Sequence, residues 1–123
     1  MRLQRRRLQM SLRMTEVDLH INIKFNNKVF LTPQSAELLR KVQQTGSLNA
    51  ASKAISISYQ NAWTLIEDMN NTASSPLLVK QRGGSGGGGA VLTEYGNLII
   101  KDYTFIEQQV AKFCKQLNTE ISL

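Results

Sequence analysis

Apolar and polar residues alternate early in the chain. Val17, Leu19, Ile21, Ile23 and Phe25 are separated by Asp18, His20, Asn22 and Lys24. A period of two predicts a strand with one buried face. Asn26-Asn27 comes next, and asparagine tolerates the left-handed backbone of a two-residue hairpin turn. Residues 28–31 therefore read as the returning strand. The period then lengthens. Thr32-Pro33 opens a helix, with Thr as cap and Pro at the first helical position. Leu38, Leu39 and Val42 form its apolar stripe, and Gly46 ends it. A short second helix is predicted from about 48 to 55, with Leu48, Ala51 and Ile55 inward. Ser56-Ile57-Ser58 breaks the pattern. A third helix runs from 58 or 59 to about 70, with Tyr59, Ala62, Trp63, Ile66 and Met69 at helical spacing.

After Pro76 the pattern shortens again. Residues 77–81 and 90–92 read as strands on either side of the glycine-rich stretch 82–89. Thr93 caps a final long helix. Within it Ile99, Tyr103, Ile106, Val110, Phe113 and Leu117 recur at intervals of four and three, the seam of a helix that packs along another helix. A small domain offers such a helix little surface, so the spacing predicts a homodimer interface at those six residues. The fold expected is mainly α with small β-hairpins (α+β): a winged helix-turn-helix with a long C-terminal dimerisation helix. Residues 1–14 read as a basic flexible tail, 15–92 as the winged unit and 93–123 as the dimerisation helix.

Composition narrows the function. The chain has 123 residues, enough for one core. No apolar run reaches the roughly 18 residues of a membrane span, and no apolar stretch follows the leading arginines, so the sequence predicts a cytoplasmic protein without a secretory signal. The net charge is +6. Five arginines and no acid fall in residues 1–14, whereas the rest of the chain carries ten basic and nine acidic side chains. The basic excess belongs to the tail, which could contact phosphates. One cysteine, Cys114, and one histidine, His20, leave no basis for a metal cluster or a nucleophile–histidine pair. Cys114 falls in the pattern of the last helix and reads as a small buried hydrophobe. Neither an enzyme nor a cofactor is expected.

Helix, glycine turn, short helix, tight turn and helix is the order of a unit that lays its last helix in the major groove of DNA. Ser58, Gln60, Asn61 and Thr64 fall opposite Trp63 and Ile66 on that helix. Gln and Asn can bond an adenine edge through two hydrogen bonds, and Ser and Thr adapt to either partner. The hairpin after it has the place of a wing, with Lys80 and Arg82 at its root to neutralise phosphates and glycines that let the backbone approach closely. Gly84, Gly86 and Gly89 also match a dinucleotide-binding pattern, but that site needs a helix directly after the loop and a further strand. Residues 90–92 follow instead, so no nucleotide is expected.

Gly46-Ser47-Leu48, Ile57-Ser58-Tyr59, Ala62-Trp63 and Glu67-Asp68-Met69-Asn70 together resemble the DNA-binding domain of the ModE family, the molybdate-responsive regulators, which is LysR-like in fold. The glycine run into Ala90-Val91-Leu92-Thr93 and Tyr95-Gly96 is the more specific part of the likeness, which covers roughly residues 17–118. The resemblance implies a homodimer on a pseudo-palindromic operator. It implies that Ser58, Tyr59, Gln60 and Asn61 begin the recognition helix, and that 82–89, with Gly84, Ser85 and Gly86, form the wing. Ser85 stands where the family usually carries Lys, which implies one phosphate contact fewer. The sequence stops shortly after the seam, so molybdate binding is not expected in it. The other function open to this fold is a protein-interaction or assembly module without DNA binding.

Overall fold

The computed structural model describes residues 15–81 and 89–122. The basic tail lies outside that range, as do Arg82, Gly84, Ser85 and Gly86. Among the described residues there are four helices and two antiparallel hairpins, in the order of a winged helix-turn-helix followed by a long helix.

Asn26 and Asn27 take φ values of 49° and 68°, the paired left-handed residues of a tight hairpin turn. They join β1 (Ile23–Phe25) to β2 (Lys28–Leu31), with Phe25 opposite Lys28 and Lys24 opposite Val29. The strand is shorter than the alternation predicted, because residues 17–22 are not in regular structure. Alternation defines a face but supplies no partner. β2 ends at Leu31 and the chain turns at once into a helix, so nothing continues the ladder past Ile23.

The helix starts follow their caps. In α1 (Pro33–Thr45), Ser35 N–H donates to Thr32 Oγ1 and Thr32 N–H donates to Ser35 Oγ, at 3.1 and 2.7 Å. This is a reciprocal capping box built with serine. Gly46, at φ 69°, ends the helix and donates its N–H to the Val42 carbonyl. Ser47 caps α2 (Leu48–Ala54) and Ser58 caps α3 (Tyr59–Thr72). β3 (Leu78–Lys80) pairs with β4 (Ala90–Leu92), Leu78 opposite Leu92. Thr93 Oγ1 accepts from Gly96 N–H at the start of α4 (Glu94–Glu120).

The chain falls into two compact units. The larger is Ile21–Tyr103. Its core holds Leu31, Leu38, Leu39, Leu48, Ile66, Met69, Leu77 and Leu78, all nearly inaccessible, and is completed by Ile100 and Tyr103 from the first turns of α4. The Tyr103 hydroxyl donates to the Ile21 carbonyl at 3.0 Å, and the Arg40 guanidinium lies 5.6 Å from its ring centroid. Gly96 is fixed by packing: a Cβ there would fall inside the Leu77 carbonyl oxygen.

The second unit joins the described residues of Met1–His20 to Thr104–Leu123. Here Val17 N–H donates to Asn118 Oδ1 at 2.7 Å. Cys114 is buried, as its place in the helical pattern predicted.

The expected seam is not uniform. Tyr103 is 1% exposed within its own unit and presents no side-chain surface to a partner, which corrects its assignment to the seam. An aromatic residue at seam spacing serves equally well as core when the helix starts inside the domain. Ile99 packs partly buried against the same core. Ile106, Val110 and Leu117 are partly buried, and Phe113 is 54% exposed. Leu98 and Phe105, outside the predicted seam, are also exposed.

Candidate nucleic-acid interface

The turn between α2 and α3 is made by Ser56, at φ 60°. Its N–H donates to Lys53 O, and Ile57 N–H donates to Ser52 O. Burying these backbone groups in local hydrogen bonds lets the chain reverse within a few residues. Leu48 and Ala51 of α2 and Ala62, Ile66 and Met69 of α3 bury completely. That choice fixes the opposite face by helical geometry. Gln60, Asn61, Thr64, Glu67, Asp68 and Asn71 are all exposed along it.

Ser58 is occupied as a cap, accepting from Asn61 N–H at 3.0 Å. Thr64 Oγ1 donates back to Gln60 O at 3.2 Å, so its hydroxyl is left chiefly as an acceptor. The amide side chains of Gln60 and Asn61 remain at the surface, near the start of the helix. The two acids, Glu67 and Asp68, stand farther along.

The flank of α3 that faces the second hairpin differs from its predicted inward role. Tyr59 was expected among the inward positions but is 39% exposed, and Trp63 is only partly buried against the core. Both lie on the same side of the helix as Ile66, but Tyr59 is the first residue of α3, where the helix has only begun, and Trp63 packs at the margin of the core. They meet edge to face, with centroids 6.2 Å apart and planes at 86°. Lys80 of β3 reaches over the same tryptophan, its Nζ 4.5 Å from the ring centroid. The structure thus brings Ser58, Tyr59, Gln60, Asn61 and Thr64 together on one helix and sets Lys80 beside them. The expected contacts Arg82, Gly84, Ser85 and Gly86 lie outside the described residues.

The root of this hairpin is tied to the helices at two places. Asn70 Oδ1 accepts from Leu77 N–H at 2.8 Å, and Asn70 Nδ2 donates to Leu78 O at 3.0 Å. On the other strand Ser47 bridges Gly89, and Ala90 N–H donates to Gly46 O at 3.4 Å. One further bond, Gln81 N–H to Gly89 O, continues the ladder toward the loop. The role of Asn70 was not anticipated from the sequence. The available signal was an amide at an inward helical position, four residues after Ile66, where a polar side chain must find a partner.

Among the described residues no group of three or more His, Cys, Asp or Glu is placed to hold a metal ion. Among the same residues no helix is long and apolar enough to cross a membrane.

No protein-family model matches the chain. Individual proteins do. The chain is 36% identical over 95 residues to the transcriptional regulator ModE of Haemophilus influenzae, covering 77% of this chain and 37% of that protein. It is 36% identical over 93 residues to the DNA-binding transcriptional dual regulator ModE of Escherichia coli K12, covering 76% and 36%. It is 38% identical over 86 residues to the molybdenum-pterin-binding protein MopB of Rhodobacter capsulatus, covering 70% and 32%. The chain spans about a third of the length of these relatives. Over some three quarters of its own length, it is similar to one part of proteins named ModE or MopB.

Proposed function

We propose that this chain binds double-stranded DNA in a sequence-specific manner, as a homodimeric transcription regulator. The observation that carries the reading is the exposed Gln60–Asn61–Thr64 face on a helix whose neighbouring hairpin is anchored to it through Asn70. A reading face and a backbone-contacting arm held in fixed relation are what a winged helix needs to dock in one register. In this reading α3 enters the major groove, Gln60 and Asn61 address base edges, and the loop 82–89 follows the backbone or minor groove. The names of the relatives support the same activity. Exposed Phe113, with Ile106, Val110 and Leu117 on the same face of α4, supplies the apolar surface for a second copy. Molybdate has no part in this proposal.

Selection of bound duplexes from a random pool tests it. A pseudo-palindromic consensus is expected, and recovery of unrelated sequences would sink the reading. Gln60→Ala and Asn61→Ala should each remove about 1–3 kcal/mol of discrimination at one position per half-site, the magnitude of a bidentate base contact. Selection repeated with each variant locates that position.

A further inference from the structure

Lys80 reaches from β3 to the flank of α3. It sits in β3 two residues after Leu78, so the strand period turns it to the same side as that buried leucine. A lysine on the inward side of a strand must run its stem along apolar surface and bring its ammonium out at the edge. The surface it meets is Trp63, and the ammonium comes to rest 4.5 Å from the ring centroid. This is well within the roughly 6 Å range of cation–π attraction. Trp63 is itself held by two neighbours: the core beneath it and the edge of Tyr59 one turn earlier. Asn70 fixes the start of β3 to the same helix, so strand, lysine and ring share one frame.

We infer that Trp63 is a positioning residue that seats the Lys80 ammonium as a ready-made phosphate contact between the recognition helix and the wing. The inference rests on the DNA-binding reading and adds to it a residue whose role is exerted through Lys80. The ring occupies one side of the ammonium. The other N–H donors face solvent, because Lys80 is exposed. A DNA strand passing between a helix in the major groove and a wing on its flank would run along the line Tyr59–Trp63–Lys80. A seated lysine meets that phosphate with much of its rotamer freedom already lost, so less is given up on binding. The Tyr59 ring, exposed at the end of this line, borders the same path.

Trp63 is the chain's one tryptophan, so it reports its own surroundings. The experiment is titration of the full chain with its selected duplex, followed both by anisotropy of labelled DNA and by Trp63 emission, over a range of salt. Lys80→Gln should weaken binding about fivefold to tenfold for matched and unrelated duplexes alike, and lower the salt slope by about 0.9 per protomer, one phosphate's worth. It should also shift the emission of the free protein and diminish the change seen on DNA binding. Lys80→Arg should restore most of the affinity, since guanidinium also stacks on indole. Trp63→Leu should weaken binding about threefold in the parent and not at all in the Lys80→Gln background. Trp63→Phe, which keeps a ring over the core, should fall between parent and Trp63→Leu. Equal losses from Trp63→Leu in both backgrounds would show a merely structural role and overturn the inference while leaving DNA binding intact. Failure of the parent chain to bind any duplex at low salt would overturn the functional reading and this inference together.

Discussion

The two hairpins of this protein look alike and are held in opposite ways. Each is a two-stranded antiparallel pair of three or four residues per strand. The first is closed by Asn26-Asn27, whose left-handed backbone bends the chain with no outside help. The second is described at its root, residues 77–81 and 89–92. Its strands stay together because Asn70 grips one of them, the Gly46–Ser47 corner grips the other, and Leu77 lies under Gly96. A hairpin that carries its own turn can be placed by its sequence. The root of the second hairpin is held instead by its neighbours, α3 and the corner before α2. In the functional reading these ties keep the root of the hairpin in register with α3.

This contrast can be broken by substitution. The largest effect is expected from Gly96→Ala. The added methyl meets backbone, which cannot swing aside as a side chain would, and unfolding in urea should show a loss of about 3 kcal/mol. Asn70→Ala should come next, near 2 kcal/mol, because it leaves the Leu77 N–H and the Leu78 carbonyl without their partner. It should also weaken duplex binding more than any change in the first hairpin. Asn27→Val should cost about 1–2 kcal/mol, the penalty of a β-branched residue in the left-handed region. Asn27→Gly should alter stability by no more than about 0.5 kcal/mol, since glycine accepts the same φ. If Asn27→Val proved costlier than Asn70→Ala, or if Asn70→Ala left DNA affinity unchanged, the second hairpin would not depend on the helix as described.

The long helix shows a related division. Its first turns contribute Ile100 and Tyr103 to the core of the larger unit, whereas Phe105 and Phe113 farther along are exposed. Heptad spacing ran through both stretches without distinguishing them, because a core-facing stripe and a partner-facing stripe have the same period. Only knowing what lies opposite each turn separates the two.

Local chemistry was legible from the residues alone. Thr32 and Thr93 cap helices, Gly46 ends one and Asn26-Asn27 turns a hairpin, because each acts on backbone within three or four positions of itself. The polar face of α3 was legible for the same reason, since burial of Ala62, Ile66 and Met69 determines it. Tertiary structure decided what depends on a distant partner. It shortened β1 for want of a strand to pair with. It left Tyr59 exposed and took Tyr103 into the core. It made Asn70 the clamp on β3 and laid Lys80 over Trp63. Each of these depends on which distant segments meet, of which spacing in sequence carries no trace, and that is decided only once the helices have packed.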